Sequence, residues 1–369
     1  MAFGIGMKLM TGVALGALIT SSSLAAQELP SPHGPTAASQ ASDSWFQSGR
    51  DLLAKNLAAV PNTNRAKNVI LFIGDGMGVS TVTAGRIFEA QMRGADGESN
   101  VLSFEHFPNV ALSKTYNTNQ QVADSAGTGT AFTGGVKGKA GTLGVDDRSW
   151  RNDCASQKGT DVDSFIELAE MAGMATGMVT TARLTHATPA ASYATSSERN
   201  WEADADLSDE AKENGCADIA SQLLDSAPGD GYEVAMGGGR RNFILASTAD
   251  PEDEGKTGER TDGRDLTEEW TSKYQNSAYV WNLEQFNAID PDSTDHLLGL
   301  FDRSHMEYEA DREADAAGEP SIAEMTGKAI DILSKDEDGF ALLVEAGRID
   351  HGHHAGNSYR ALMDMVAFN

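Results

Sequence analysis

The segment RIDHGHH, residues 348–354, carries a dense cluster of side chains that bind metal ions. Asp350 and His354 lie four residues apart, so one helical turn would direct both side chains at a single ion. A carboxylate together with an imidazole suits zinc. His351 and His353 would then face elsewhere, either behind the ligands or toward a substrate. The alternative is a solvated histidine-rich loop.

Five further residues could bind a metal or a phosphate, and each also has an ordinary structural explanation. Glu345 would suit magnesium, or it is a surface acid at a strand end. Asp75 in GDGMG would have room for an ion, yet Asp–Gly is also a common turn. His186 and Thr188 would serve a metal or its waters, although Thr188 would equally cap a helix. Arg199 would hold two phosphate oxygens at once, but its spacing alone favours a surface ion pair.

Ser125 stands in VADSAGTGTA, where it is followed by small residues. Small residues favour tight helix packing, and they would also leave a nucleophile unobstructed. At a helix N-terminus, free backbone amides would favour an anion beside Ser125. Histidine is absent from the neighbouring sequence, so a zinc ion is the candidate for activating the hydroxyl.

The elements around these residues predict an α/β fold. An apolar run, residues 69–73, leads into GDGMG, and a second run ends near Thr181. A third run, residues 340–344, ends at Glu345, and helical patterns alternate with these strands. This order predicts a central, mostly parallel sheet with helices on both faces. Because ligands bind beyond the carboxyl ends of such strands, the candidate residues would meet at one edge.

The N-terminus has the pattern of a secretory signal: Lys8, an apolar run over residues 9–19 and a cleavage point near Ala26. The apolar run is too short to span a membrane, and the alternative is a buried helix. We therefore expect a signal peptide over 1–26 and an exported protein, either periplasmic or secreted. An N-terminal arm over 27–66 and one main domain over 67–369 would follow, with an acidic excursion at about 250–319.

The charge and the cysteines limit the function further. The chain of 369 residues has 28 Lys and Arg against 55 Asp and Glu, which gives a net charge of −27. Such a surface repels nucleic acid and anionic lipid, so a phosphate site must carry its own positive charge. Two cysteines, Cys154 and Cys216, favour one disulfide after export, with two free thiols as the alternative.

Several motifs together resemble one known family. The first strand with GDGMG, then DSAGTGTAFTGGVKGKAGTLGVD, HATPAASYATSSERNW, MGGGRRNF and VEAGRIDHGHH look like alkaline phosphatase, and most like the branch that includes the animal enzymes. The resemblance runs from about Asn68 to the last residue. It implies a metal-dependent phosphomonoesterase, usually a homodimer, with two zinc ions and one magnesium ion.

The resemblance also implies roles for the matching residues. Ser125 would be the nucleophile that becomes phosphorylated, and Arg199 would clamp the phosphate. Asp75 would bridge one zinc and the magnesium, and Thr188 and Glu345 would complete the protein's magnesium ligands. The reaction would then be two in-line displacements at phosphorus.

The same resemblance assigns the second zinc, a histidine beside the magnesium and a disulfide. Asp350 and His354 would hold that zinc. His186 stands where some bacterial members have an aspartate, as in the animal-type branch. Cys154 and Cys216 match a disulfide of that branch.

Two expectations concern the periphery of the family's site. A calcium site of the animal-type branch would fall on Glu252, Phe301 through its carbonyl, Asp302 and Glu319. The family takes further zinc ligands, an Asp–His pair and a later His, from sequence beyond Asn369. We therefore expect the C-terminal part of the fold to be missing from a truncated chain, and residues 1–369 alone to be weakly active or inactive.

Two rival functions remain at this point. A sulfatase or phosphodiesterase of the same superfamily is disfavoured, because sulfatases need a C/S-x-P-x-R context that DSAGTGT lacks. A non-catalytic secreted protein that binds metal or phosphate is compatible with the missing ligands. Turnover of p-nitrophenyl phosphate would separate that protein from an enzyme.

Overall fold

The computed structural model describes residues 40–369, which fall into two units: one ends at Thr63 and the other spans Asn64–Asn369. In the first unit, helix α1 (Ser44–Ala58) begins where the Asp43 carboxylate accepts hydrogen bonds from the first backbone N–H groups. The predicted signal peptide, residues 1–26, lies outside the described residues, as does the arm up to residue 39.

A parallel sheet forms the centre of the second unit. Within the described residues it has six strands: β1 (Val69–Gly74), β2 (Ala175–Arg183), β3 (Val234–Gly238), β4 (Ser277–Val280), β5 (His296–Leu300) and β6 (Phe340–Ala346). Their order across the sheet is β1–β6–β2–β3–β5–β4, and each neighbouring pair is parallel. Strands β2 and β6 are buried along nearly their whole length, as expected for parallel strands covered on both faces.

The connections between strands are mostly helical. The helices of the second unit are α2 (Val79–Met92), α3 (Ser125–Gly134), α4 (Cys154–Gln157), α5 (Phe165–Met171), α6 (Ala187–Ala190), α7 (Asp209–Asn214), α8 (Ile219–Asp225), α9 (Leu266–Lys273), α10 (Leu283–Ala288), α11 (Ile322–Leu333), α12 (Arg348–His354) and α13 (Ser358–Phe368). Short 3₁₀ helices lie at Ser103–His106, Asp204–Asp206, Arg240–Asn242 and Arg312–Ala314. Capping boxes explain where two of the α-helices begin, with Ser164 and Glu167 at α5 and Ser321 and Glu324 at α11.

Helices cover both faces of the sheet. Met178 and Leu343 point into one core, which contains apolar residues of α5, α8 and α9. Their chain neighbours Val179 and Val344 point into the other core, which contains residues of α11 and α13. Because successive strand residues alternate between faces, each apolar run supplies both cores. The predicted α/β architecture is confirmed.

The register of three strands determines where the candidate residues meet. Strand β6 lies between β1 and β2, so Glu345 is opposite Ile73 on one side and Thr180 on the other. Asp75 follows the last residue of β1, and its backbone N–H donates to the carbonyl of Ala346. The carboxyl ends of β1, β2 and β6 therefore form one continuous edge, which we call the carboxyl edge.

Two other features bear on the sequence predictions. Cys154 and Cys216 form the predicted disulfide, with their Cα atoms 6.0 Å apart. The acidic stretch 250–319 contributes β4, α10 and β5, so part of the expected excursion belongs to the sheet. Over residues 40–369, helices are all too short or too polar to cross a membrane.

Candidate active site

Ser125 is the first residue of α3. Its hydroxyl donates a hydrogen bond of 2.8 Å to Asp75 Oδ2. Asp124 caps the helix by accepting from the backbone N–H of Gly127. The small residues of this helix have a packing role: a Cβ on Gly127 would lie 2.2 Å from Asn117 Nδ2, and one on Gly129 would lie 3.1 Å from Ala191. The glycines therefore bring α3 close to its neighbours, while Ser125 faces a cleft.

Asp75 links the nucleophile to the carboxylates around it. Burial and then the negative charge of Asp350 raise the pKa of Asp75, whereas the Ser125 hydrogen bond and the Arg199 charge lower it. The net direction is upward. A carboxylate in such an environment is stabilised when a cation is bound nearby.

Glu345 lies fully buried near the carboxyl end of β6. Its Oε2 accepts a hydrogen bond of 2.5 Å from Thr180 Oγ1, and its Oε1 has no hydrogen-bond partner among residues 40–369. Burial raises the pKa of Glu345 to about 7, with a further contribution from Asp75. The contacts with Thr180 and then with Thr188 lower it. Buried carboxylate oxygens normally have a hydrogen-bond partner or bind a metal ion, so the unpartnered Oε1 is a candidate metal ligand.

Asp350 and His354 lie on one turn of α12, with His354 Nε2 3.1 Å from Asp350 Oδ2. The Asp350 side chain packs against Gly76, where a Cβ would come within 2.6 Å of its Oδ1. Gly76 has a φ of +65°, a conformation that favours glycine. The GDGMG turn thus has two requirements for glycine at this position, and Asp350 comes close to the turn that carries Asp75.

Arg199 connects the nucleophile helix to His186. Its guanidinium donates to Asp124 Oδ2 at 3.2 Å and to His186 Nε2 at 3.0 Å. Because arginine only donates, His186 Nε2 is the acceptor and Nδ1 carries the proton. That Nδ1 is buried without a partner in the described part of the chain. Burial, followed by the charge of Arg199, lowers the pKa of His186 well below its usual value.

The remaining two histidines of RIDHGHH face different parts of the structure. His353 Nε2 lies 2.9 Å from Thr81 Oγ1, so it faces α2. His351 packs against His186 and His305, with ring centroids 5.5 Å and 4.2 Å away. Burial, followed by the charge of Arg348, lowers the pKa of His351 to about 4.

Sequence reasoning missed two residues near these groups. His305 offers a ring nitrogen within 4.8 Å of those of His186 and His351. Thr180 holds Glu345. His305 is a lone histidine in a loop, and Thr180 lies inside an apolar strand, so neither has a local signal that would reveal it.

These groups share one open cleft with a volume of about 1010 Å³. The predicted residues that line it are Asp75, Ser125, His186, Thr188, Arg199, Asp350 and His354. Glu345 does not line it. The cleft therefore combines acids and imidazoles that would hold cations with an arginine and helix amides that would hold an anion.

Two of the residues expected to bind calcium, Glu252 and Asp302, contact Arg240. Glu252 Oε2 accepts from Arg240 Nη2 at 2.8 Å. Burial, followed by the charges of Asp302 and Asp315, raises the pKa of Glu319 to about 9. The pKa of Glu252 is raised to about 7, chiefly by burial and further by Asp315. Asp315 is thus a further acid beside this set, and sequence reasoning did not single it out.

Comparison with known proteins gives a consistent result. The family model described as Alkaline phosphatase matches residues 66–369. Human alkaline phosphatase, tissue-nonspecific isozyme, is 48% identical over 311 residues, which cover 83% of this chain and 59% of that protein. The chain thus spans less than two thirds of the length of this curated relative.

Two solved structures extend the comparison. The alkaline phosphatase of Thermus thermophilus aligns with a TM-score of 0.65 at 31% identity, covering 83% of this chain and 55% of that one. A mutant alkaline phosphatase of the Antarctic bacterium TAB5, described with Mg bound in its M3 site, aligns with a TM-score of 0.57 at 25% identity. It covers 82% of this chain and 70% of that one.

Proposed function

The chain belongs to the alkaline phosphatase family, and from this premise we propose that the protein hydrolyses phosphate monoesters through a phosphoserine at Ser125. The observation that carries the proposal is the hydrogen bond of 2.8 Å from Ser125 Oγ to Asp75 Oδ2, at the N-terminus of α3 and inside the cleft. It presents a serine oxygen with an acceptor for its proton and with backbone amides beside it.

Arg199 and α3 supply the positive charge that an anionic substrate requires. The guanidinium lies between Asp124 and His186, within hydrogen-bond distance of each. A phosphate that binds here would exchange one of these contacts for two charge-assisted hydrogen bonds. The amides at the start of α3 add the positive end of the helix dipole. These local charges offset the repulsion from a net charge of −27.

The acids and imidazoles of the site fit divalent cations. We assign a magnesium ion to Asp75, Thr188 and Glu345 with His186 beside it, and two zinc ions to a site that includes Asp75, Ser125, Asp350 and His354. The unpartnered Glu345 Oε1 supports this assignment among the described residues. When bound, such ions supply Lewis-acid stabilisation of phosphate oxygens and lower the pKa of hydroxyl nucleophiles.

The reaction consists of two displacements at phosphorus. Ser125 Oγ forms a bond to phosphorus as the bond to the ester oxygen breaks, and the alcohol leaves with a proton. Asp75 accepts the hydrogen bond of the Ser125 hydroxyl before attack, and Arg199 holds two non-bridging oxygens. Water then attacks the phosphoserine, so inorganic phosphate leaves and Ser125 regains its proton.

Membership of the alkaline phosphatase family supports three further parts of the proposal. We propose a homodimer, export to the periplasm or the medium, and a calcium ion at Glu252, the Phe301 carbonyl, Asp302 and Glu319. The cluster of raised pKa values around Glu319 supports the calcium ion. The domain limits at residues 26 and 66 and the excursion at 250–319 remain predictions.

The test is turnover of p-nitrophenyl phosphate at alkaline pH with zinc and magnesium present, in protein that carries the family's later zinc ligands as well as residues 1–369, because residues 1–369 alone are expected to be weakly active or inactive. We expect Ser125→Ala to lower kcat by about 10⁴-fold or more, because the nucleophile is lost. Ser334→Ala, an exposed serine after α11, is the matched control and should leave kcat unchanged. Acid-quenched wild-type protein should carry a phosphoryl group on Ser125.

Two outcomes would contradict the proposal. One is wild-type turnover by Ser125→Ala. The other is binding of zinc and phosphate with neither turnover nor phosphorylation of Ser125, which would identify the non-catalytic binding protein instead.

A further inference from the structure

We propose that the opposite edge of the sheet, where the strands begin, holds a separate site for a calcium-like divalent cation. We call this edge the amino edge. The ligands are the carboxylates of Glu170, Asp230 and Glu233, together with the Tyr274 hydroxyl. This site lies outside the cleft and shares none of its residues.

The three carboxylates converge from separate elements. Glu170 lies in α5, Asp230 in the loop after α8 and Glu233 immediately before β3. Each offers an oxygen within 4.8 Å of the others. Calcium binds oxygen at about 2.3–2.6 Å, so ligands on opposite sides of one ion lie up to about 5 Å apart. One calcium ion can therefore contact all three carboxylates.

Thr176, near the start of β2, fixes two of these carboxylates. Its backbone N–H donates to Glu233 Oε2 at 2.6 Å, and its hydroxyl donates to Glu170 Oε2 at 2.6 Å. Each glutamate is thus oriented by Thr176, and the Glu170 carboxyl also lies within hydrogen-bond reach of Asp230 and of the Gly231 backbone. This is how hydrogen bonds commonly orient metal ligands.

The loop that contains Gly229 and Gly231 packs against Glu170 and Tyr274. A Cβ on Gly229 would lie 2.5 Å from Glu170 Oε1, and one on Gly231 would lie 2.3 Å from the Tyr274 hydroxyl. Both glycines have a positive φ, +60° and +95°. The loop therefore brings its backbone against the carboxylate and the hydroxyl, with Asp230 between the two glycines.

An independent observation comes from two tyrosines. The Tyr274 side chain is 7% exposed and the Tyr232 side chain is fully buried, and neither hydroxyl has a hydrogen-bond partner within residues 40–369. The charges of Glu170, Glu233 and Asp230 all act on the Tyr274 hydroxyl. Buried hydroxyls normally have a partner. A cation with its bound waters would supply partners for a hydroxyl that faces three acids.

The electrostatics of the cluster also favour a cation. Burial, followed by the interaction with Asp230, raises the pKa of Glu170 to about 7. Burial and then the charges of Glu170 and Asp230 raise the pKa of Glu233 to about 8. Lys273 Nζ lies near the Tyr274 ring but donates to the carbonyl of Leu224. A divalent ion would remove the mutual repulsion of the three acids.

Access and ligand chemistry indicate the class of ion. Glu170 is buried, Glu233 is partly exposed and Asp230 is exposed, so an ion can enter from the solvent. All four ligand atoms are oxygens, which select hard cations, and waters on the Asp230 side would complete six to eight ligands.

Terbium luminescence tests this site, because Tb³⁺ replaces Ca²⁺ and emits when a nearby aromatic ring transfers energy to it. Tyr274 is a ligand, and Trp270 lies 4.9 Å from it between ring centroids. Because the calcium ion proposed at Glu252, Asp302 and Glu319 would also be replaced by Tb³⁺, all measurements use the Glu319→Gln background, in which we expect Tb³⁺ to bind at the amino edge with sensitised emission that Ca²⁺ displaces. Asp230→Asn should weaken this binding by about tenfold or more, since affinity follows the number of ligand charges.

The control is Asp147→Asn, another exposed aspartate, which should retain the emission. Circular dichroism should show that both variants fold, and both should hydrolyse p-nitrophenyl phosphate like the wild type. Tyr274→Phe should retain Asp230-dependent Ca²⁺ binding, measured by calorimetry, with a lower affinity. Equal terbium emission from Asp230→Asn and Asp147→Asn would overturn the proposal, whatever the phosphatase assay shows.

Discussion

Strand β2 carries a threonine near each end, and each threonine binds a buried glutamate. Thr180 donates to Glu345 at the carboxyl edge, and Thr176 donates to Glu170 at the amino edge. The two carboxyls have similarly raised pKa values, both about 7, and burial is the largest cause for each. The local chemistry of the glutamates is therefore nearly the same.

The surroundings of the two glutamates differ. At the carboxyl edge, Arg199 and the N-terminus of α3 add positive charge, and several imidazoles lie nearby. At the amino edge, the neighbours are acids, tyrosine hydroxyls and one imidazole, His296, which stacks on the Tyr274 ring. On the proposal made above, carboxylates and a hydroxyl would suffice to hold a cation at the amino edge, whereas a site for a phosphate ester also needs groups that bind an anion.

The largest effect is expected when the anion-binding group, the Arg199 guanidinium, is removed. Arg199→Ala should lower kcat/KM for p-nitrophenyl phosphate by about 10²–10³-fold, because two charge-assisted hydrogen bonds to the phosphate are lost. Inhibition by inorganic phosphate should weaken in parallel. Arg264→Ala, which removes an arginine that pairs with Asp225 and Glu269, should leave both quantities unchanged. An equal loss in both variants would show that the effect of Arg199 is merely structural.

The next test exchanges each threonine of β2 for valine. Thr180→Val should lower magnesium affinity by about 10–100-fold, since Glu345 loses the group that orients it. Thr176→Val should leave magnesium affinity and kcat unchanged and should reduce the stabilisation of the protein by Ca²⁺. Each variant should also lose about 1–3 kcal/mol of unfolding free energy, measured by urea denaturation without metal. Loss of activity in Thr176→Val would show that the two edges do not act independently.

A pH series tests the amino edge without a metal. The Glu233 side chain has a reference pKa of 4.5, and the fold raises it to about 8. Between these values only the folded state keeps the proton, so the free energy of unfolding should fall as pH rises from about 4.5 to 8. Glu233→Gln should remove on the order of 2 kcal/mol of this fall. Chemical denaturation in EDTA measures the unfolding free energy at each pH. If its dependence on pH is the same in Glu233→Gln as in the wild type, the raised pKa of Glu233 is refuted.

The smallest expected effect concerns the Tyr274 hydroxyl. In EDTA, Tyr274→Phe should be neutral or more stable by up to about 1 kcal/mol, because an unpartnered buried hydroxyl is removed. With Ca²⁺ present, the same variant should be less stable than the wild type. Thermal denaturation with and without Ca²⁺ measures the change of sign, and the same sign in both conditions would contradict a role in ion binding.

The carboxyl edge could be predicted in large part from the sequence. Continuous apolar runs indicate β1, β2 and β6, and the rule for parallel sheets brings their ends together. The Asp350–His354 spacing indicates one helical face, which the structure confirms for α12. Even here, the sequence leaves open whether the small residues after Ser125 serve packing or clearance for a nucleophile, and the structure shows that Gly127 and Gly129 are needed for close packing.

The amino edge could not be predicted in the same way. Glu170, Asp230 and Glu233 come from a helix, a loop and a strand start, and only the pairing of β2 with β3 brings them together. His305 likewise approaches His186 and His351 only through the folding of a distant loop. Neither cluster has a motif, because nothing in the physics of these residues requires them to be close in sequence.

The disulfide described above closes a covalent ring over residues 154–216. That ring contains Glu170 and Thr176 of the amino edge, and also Thr180, His186 and Arg199 of the carboxyl edge. Closing a loop of this length restricts the unfolded chain by about 4 kcal/mol in the loop-entropy description. Reduction by a thiol should therefore lower the unfolding free energy of the part of the fold that carries both edges. If the protein is exported as proposed, its oxidising surroundings would thus help to keep both proposed sites folded through a single bond.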